Sequence, residues 1–397
     1  MGYFTLLPIA KLEYDMNEAS IVNLLDFKRI NYNKEKRDIL LSILNTEIGD
    51  LQECDDEKKN IILELMDNGL AYLYNKSVAN YEHKARRDVE IRGLCEEVPH
   101  FSKIYFEITN KCDRNCKFCN MEELIEGACN SCAKWRRDST IHEEEFDYKK
   151  IMKRISQLWV EEIVISGGNP FENKKLLMDY IIEIRKYMPH INILIYINGD
   201  NLDDETVKFL SQNKVNLNFV FLESEYEIGE ETSGIALSNK DKTKIKECIG
   251  SGIKCSYTLL GEKVYEVEVD GEYNIVVRQK GKESNSKKFV NRKERINPNY
   301  MQNQRYNSCL NNKLAITLDG LVRPCPMISD TLLDLKEEKF DRLFQDTLVD
   351  KYWRFTKKDV HMCADCPYKF SCEDCTAVEL EINSGIREPG ELCDRHK

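Results

Sequence analysis

The run KIYFEITNKCDRNCKFCN, residues 103–120, sets an apolar strand directly ahead of three cysteines, Cys112, Cys116 and Cys119. Three and then two residues separate them, a spacing that lets one tight loop wrap three thiolates around a cube-shaped iron–sulfur cluster. Three protein ligands on four irons leave one iron open to chelate a substrate or cofactor directly. A zinc site is the competing reading. Zinc usually takes a fourth Cys or His, and Cys129 and Cys132 in GACNSCAKW (residues 127–135) stand nearby.

Outward from this loop the chain alternates. HEEEFDYKKIMKRISQLWV (142–160) reads as a helix with Phe146, Ile151, Ile155 and Leu158 on one side. EEIVIS, INILIYI, VNLNFVFLE, IKCSYTLL and YNIVVRQ read as strands, separated by the helical stretches NKKLLMDYIIEIRKYM, DDETVKFLSQN and KTKIKECIGSG. Strands alternating with helices imply parallel βαβ units, and about six repeats suit a partial barrel better than a closed eight-fold one. SGGNP (166–170) follows the second strand; by itself it is a turn.

Ahead of the strand, KRDILLSILNTEI and DEKKNIILELMDN have helical spacing, NGLAYLYN reads as a turn then a strand, and YFTLLPIAKL offers further strands. Helix, helix, turn and strand is the pattern of a small winged-helix unit. Behind the barrel, the polar stretch 281–304 reads as a linker. The expected domains are therefore 1–100 (winged-helix-like), 101–280 (barrel), 281–304 (linker) and 305–397 (cysteine-rich).

The cysteine-rich tail holds Cys309, Cys325, Cys363, Cys366, Cys372, Cys375 and Cys393. KLAITLDGLVRPC (313–325) reads as a hairpin turning at Asp319-Gly320, which brings Cys309 and Cys325 together for one metal centre. Paired C-x2-C units also occur as zinc knuckles. Seven cysteines do not divide into tetrahedral zinc sites, and two iron–sulfur clusters, one with an incomplete shell, fit the count better. Cys54, Cys95, Cys248 and Cys255 most simply are small buried apolar residues.

The whole chain bounds the rest. Sixteen cysteines among 397 residues, with no secretory signal or membrane-length apolar run, point to metal binding in a reducing cytoplasm rather than disulfides. A net charge of −11 gives no electrostatic reason to expect nucleic acid.

The cysteine loop after the first strand resembles that of the radical S-adenosylmethionine (SAM) superfamily. The resemblance implies that Cys112, Cys116 and Cys119 hold the catalytic [4Fe–4S] cluster, which cleaves SAM to a 5′-deoxyadenosyl radical. It places Phe118 beside the adenine and Gly167, Gly168, Asn169 and Pro170 at the SAM amino group, with Asn where the commonest form has Glu. Asn198 and Glu223, at the ends of the third and fourth strands, are weaker implied SAM contacts. The tail resembles the SPASM extension, departing only in the two-residue gap between Cys372 and Cys375. That resemblance implies Cys309, Cys325 and Cys375 around a nearer auxiliary cluster, and Cys363, Cys366, Cys372 and Cys393 around an outer one. The nearer cluster then lacks an obvious fourth ligand, and a substrate thiolate on its open iron is the expectation.

Three [4Fe–4S] clusters and SAM are thus the expected cofactors. The expected activity is that of a maturase forming a Cys thioether on a ribosomally synthesised precursor peptide, as in sactisynthase- and ranthipeptide-synthase-type enzymes. The N-terminal unit would hold the leader, and an electron donor such as flavodoxin or ferredoxin would serve it. An anaerobic sulfatase-maturing enzyme is the alternative, against which stand the extra N-terminal unit and Pro326 directly after Cys325. A non-enzymatic iron–sulfur carrier or zinc adaptor is the third reading.

Overall fold

The computed structural model describes residues 2–26, 28–75, 100–114, 116, 119, 128–135, 146–222, 227–228, 235–236, 239–261, 275–279, 299–344, 349–372, 375–382, 385 and 393. The parallel strands come in the expected order: β7 (His100–Glu107), β8 (Trp159–Ser166), β9 (Asn192–Ile197), β10 (Val215–Leu222), β13 (Cys255–Gly261) and β14 (Ile275–Gln279). Each pairs in parallel with the next. The helices α3 (Lys149–Ile155), α4 (Lys174–Tyr187), α5 (Asp204–Gln212) and α6 (Asn239–Gly250) fall between them. Consecutive residues Ile163, Val164 and Ile165 are all fully buried, as parallel strands covered on both faces require. The result is an α/β partial barrel. A small antiparallel pair, β11 (Glu227–Ile228) with β12 (Ile235–Ala236), precedes α6.

The sheet does not stop at β7. β15 (Lys313–Ile316) pairs in parallel with β7, and β16 (Leu321–Arg323) and β17 (Leu333–Asp334) continue antiparallel, giving nine strands in all. The expected hairpin is present with a longer turn. Thr317 and Leu321 still bond through Thr317 N–H to the Leu321 carbonyl (2.9 Å), so three residues, Leu318–Gly320, make the turn rather than two. Gly320 has φ +88°, and a Cβ there would stand 2.7 Å from the Phe146 ring. The Leu318 N–H donates to Glu107 Oε2 (3.0 Å) at the end of β7, and the Phe146 N–H to the Leu318 carbonyl (3.0 Å). The tail is therefore built into the barrel sheet.

The N-terminal unit has its own apolar core, around Phe4, Ile21, Leu40, Ile43, Ile61, Ile62 and Leu65. Its helices are α1 (Lys34–Ile43) and α2 (Asp56–Asp67), capped by Asn33 and Asp55, whose side chains accept from the N–H of Lys36 and Lys58. One sheet is β1 (Gly2–Leu6) between β5 (Glu47–Ile48) and β6 (Ala71–Tyr74). A second, β2 (Ala10–Tyr14), β3 (Glu18–Asn23) and β4 (Arg29–Asn33), has two strands beyond those the sequence suggested.

The end of the segment expected as a linker is packed structure. The one-turn helix α7 (Tyr300–Asn303) buries Tyr300, whose hydroxyl donates to Glu13 Oε1 (2.9 Å), and Asn303 Nδ2 donates to the Phe370 carbonyl (2.9 Å). Tyr300 and Asn303, polar residues that made 299–304 look solvated, find partners far away in the chain. The last helix, α8 (Thr376–Ile382), follows Cys375.

Candidate functional site

The three cysteines leave β7 in a loop held from three sides. Cys119 N–H donates to the Cys116 carbonyl (3.1 Å). Arg114, two residues after Cys112, pairs with Asp200 through Nε (2.5 Å) and Nη2 (3.1 Å). Asn198, buried at the end of β9, brings Nδ2 to 3.8 Å from Cys112 Sγ, while its Oδ1 accepts from Asp200 N–H (3.0 Å). Burial pushes the Cys112 thiol up, opposed by the Arg114 backbone N–H and reinforced by Cys119. Thiolates gathered in a low dielectric need positive charge between them, and an iron–sulfur cluster supplies it.

SGGNP lies directly against this loop. Asn169 N–H donates to the Lys111 carbonyl (2.8 Å). Gly167 and Gly168 have φ of +89° and +70°, and a Cβ on Gly168 would stand 2.5 Å from the Lys111 carbonyl oxygen. A Cβ on Gly167 would meet Glu107 Cγ at 2.8 Å and the Trp135 ring at 3.1 Å. The glycines are thus required by contact with the cysteine loop itself, a reason additional to close approach of a ligand. Asn169 caps the following 3-10 turn: its Oδ1 accepts from Phe171 N–H (3.2 Å) and its Nδ2 donates to Glu172 Oε1 (2.9 Å), with Pro170 at the first position of the turn. Phe118 and Glu223 lie outside the described residues.

In the tail, Cys309, Cys325 and Cys375 are neighbours: a hydrogen bond with Cys129 and burial push the Cys325 thiol well up, and Cys309 and Cys375 add to the rise. Cys366 lies beside Cys393, with Cys363 buried and Cys372 half-buried in the same segment. Among the described residues, no three of His, Cys, Asp and Glu crowd closely enough to hold a single metal ion. Cys248 and Cys255, both buried, hydrogen-bond to each other, as expected of structural thiols.

Residues 106–261 match the family described as the Radical SAM superfamily. The chain therefore carries a radical SAM domain. It is an enzyme, and radical SAM chemistry implies a [4Fe–4S] cluster and SAM; the non-enzymatic carrier reading falls. The chain is 24% identical over 285 residues to a probable GTP 3′,8-cyclase of Methanothermobacter marburgensis, 58% of this chain and 86% of that relative. Among solved structures it resembles SuiB of Streptococcus suis bound to SAM, at 14% identity and TM-score 0.48, covering 98% of this chain and 100% of SuiB. A second similar structure is native anSMEcpe with bound SAM, at 14% identity and TM-score 0.46, covering 74% and 94%. Among the described residues no helix is long and apolar enough to cross a membrane.

Several residues around the cysteine loop carried no sequence signal. Arg114 and Asp200 are common residue types whose pairing depends on β7 and β9 ending at the same rim. Glu107 is a buried carboxylate at a strand end, recognisable only once the hairpin turn that it accepts from is in place.

Proposed function

We propose that this enzyme matures a ribosomally synthesised peptide, forming a thioether between a Cys sulfur and a carbon of the same peptide. Cys112, Cys116 and Cys119 hold the catalytic cluster. Gly167, Gly168, Asn169 and Pro170 form the cradle at its side, with Asn198, Phe118 and Glu223 completing the SAM pocket. When bound, the cluster and SAM together supply a one-electron cleavage that removes a hydrogen atom from an unactivated carbon. Arg114 and Asp200 fix the loop that carries the cysteines, Trp135 packs on Gly167 and keeps water from the turn, and Asn198 steadies the Cys112 sulfur. Two further clusters belong to the tail, one on Cys309, Cys325 and Cys375 and one on Cys363, Cys366, Cys372 and Cys393. A flavodoxin or ferredoxin of the cytoplasm feeds the electrons.

The observation that carries the peptide reading is the clamp between the N-terminal unit and the tail. Arg29 on β4 donates to the Pro367 carbonyl (2.8 Å), to Ser371 Oγ (2.5 Å) and to Ser20 Oγ (2.8 Å), and lies over the Tyr368 ring at 4.8 Å. The Tyr368 hydroxyl donates to Glu18 Oε2 (2.9 Å), and Lys369 pairs with Glu13 (3.1 Å). A unit with its own core, fastened at the outer-cluster segment, suits a recognition module better than a brace for the barrel. β6 is an outer strand of its sheet and exposes Tyr72, suiting a leader peptide added as a further strand. These features disfavour the sulfatase-maturing alternative.

The test is anaerobic reconstitution and co-expression with Cys-containing peptides encoded beside the gene. The expected product has lost two hydrogens, and the Cys112→Ala, Cys116→Ala, Cys119→Ala variant makes neither it nor 5′-deoxyadenosine while retaining auxiliary iron. Unmodified peptide alongside vigorous 5′-deoxyadenosine formation in the wild-type protein sinks the peptide reading. 5′-Deoxyadenosine from the triple variant sinks the cluster assignment.

A further inference from the structure

The segment 128–135 is tied to three barrel strands. The Tyr105 hydroxyl on β7 donates to Asn130 Oδ1 (3.3 Å), and Thr258 Oγ1 on β13 lies 3.3 Å from the Asn130 carbonyl, which it donates to. Trp135 Nε1 donates to Ser166 Oγ at the end of β8 (3.1 Å). Within the segment, Ser131 Oγ donates to the Ala128 carbonyl (2.7 Å) and accepts from Ala133 N–H (3.1 Å). Ser131 and Cys129 are both buried, in a barrel core shared with Cys325 and Cys375.

The two cysteines of this segment have different thiol neighbours. Cys129 hydrogen-bonds the Cys325 thiol, near which Cys309 and Cys375 also lie. Lys313, on β15, is acted on by Cys309, Cys129, Cys325 and Cys375 together. Cys132 instead has Cys119, Cys112 and Cys116 for neighbours. The two thiols thus have different cysteine neighbours, one set in the tail and one in the catalytic loop.

We propose that Cys129 is the fourth thiolate of the nearer auxiliary cluster, completing the shell of Cys309, Cys325 and Cys375. The inference rests on the reading that these three tail cysteines hold a cluster at all. Ligation replaces the thiol proton of Cys129, released to solvent, with a sulfur–iron bond, and no electron moves. The cluster is then bound jointly by the barrel and the tail, and its shell is closed. A substrate thiolate does not bind iron there, contrary to the expectation from the tail's seven cysteines. Ligation also fixes the 128–135 segment between the two clusters, with Cys132 on the side of the catalytic loop.

The experiment uses the full chain with Cys112, Cys116 and Cys119 all replaced by Ala, so that only auxiliary iron is observed. This parent is reconstituted anaerobically beside versions also carrying Cys129→Ala, Cys129→Ser or, as a control, Cys132→Ala. Iron is counted, and electron paramagnetic resonance of the reduced protein is recorded with and without cyanide, a small ligand for an open iron. The parent and the Cys132→Ala version are expected to hold about eight irons as two four-iron clusters, with spectra that cyanide leaves unchanged. Cys129→Ala is expected either to lose about half of that iron or to keep it with a cyanide-shifted spectrum. Cys129→Ser, whose oxygen ligand keeps the shell closed, is expected to shift the spectrum without cyanide. Full iron and a cyanide-insensitive, parent-like spectrum in both Cys129 variants overturns the proposal, as does a cyanide-sensitive parent. A parent with no iron overturns instead the auxiliary-cluster reading beneath it.

Discussion

Replacing Gly168 by Ala is the most direct test of how the glycine turn and the cysteine loop depend on each other. Gly168 sits at φ +70°, and its added Cβ would be 2.5 Å from the Lys111 carbonyl oxygen, a backbone atom one residue ahead of Cys112. The left-handed backbone costs Ala on the order of 1–2 kcal/mol. Relief of the clash moves the Lys111 carbonyl away and weakens its 2.8 Å hydrogen bond from Asn169 N–H, costing about 1 kcal/mol more. Together these reach roughly 2–3 kcal/mol, or about 30- to 150-fold at one factor of ten per 1.4 kcal/mol. Gly252→Ala is the control: it has φ +84° but nothing within 4 Å of a new Cβ, so it carries the backbone cost alone. Anaerobic equilibrium dialysis of SAM and iron analysis after reconstitution read the difference. Gly168→Ala is expected to weaken SAM binding by that factor or to lose the catalytic iron, with Gly252→Ala close to wild type in both. SAM affinity within twofold of wild type, with full iron, refutes the idea that the turn supports the cysteine loop.

Arg29→Met should loosen the outer-cluster segment, because one guanidinium bonds Pro367 and Ser371 there, ties them to Ser20 and caps the Tyr368 ring. Each hydrogen bond from a charged group of this kind contributes roughly 1.5–3 kcal/mol; thermal unfolding and faster loss of auxiliary iron measure the loss, and wild-type values for both contradict the clamp. A pH dependence follows from Tyr352, whose hydroxyl burial and its hydrogen bond to Asp330 push up to about 12. Its folded form holds the proton above the ordinary tyrosine value near 10, so its contribution is full below pH 10 and is lost as pH rises from there through about 12. Denaturant unfolding across that window should steepen in wild type relative to Tyr352→Phe, and parallel profiles contradict the assignment.

Local order along the chain was largely written in its residues. The apolar runs IYF of β7, IVI of β8 and ILIYI of β9 mark buried parallel strands, because two-sided burial calls for consecutive apolar residues. The cysteine loop was legible because Cys112, Cys116 and Cys119 stand in one short stretch, so their spacing alone brings the three thiols to one loop. The packing of 299–304 was not legible, since Tyr300 and Asn303 find their partners at Glu13 and Phe370, hundreds and tens of residues away. β3 and β4 escaped notice because EASIVN and RINYN are short and mixed in polarity, and only their pairing makes them strands.

By itself, then, the sequence determined the repeating strand–helix order, the three-cysteine loop and the seven cysteines of the tail, because each depends on spacing within a continuous stretch. Tertiary structure alone decided which distant groups meet. It set Gly168 on Lys111, Asp200 on Arg114, the 313–323 hairpin on β7, and Cys129 on Cys325. The physical reason is closure of the sheet: parallel strands bring loops from far-separated positions to one rim, and spacing along the chain carries no record of which of them will touch.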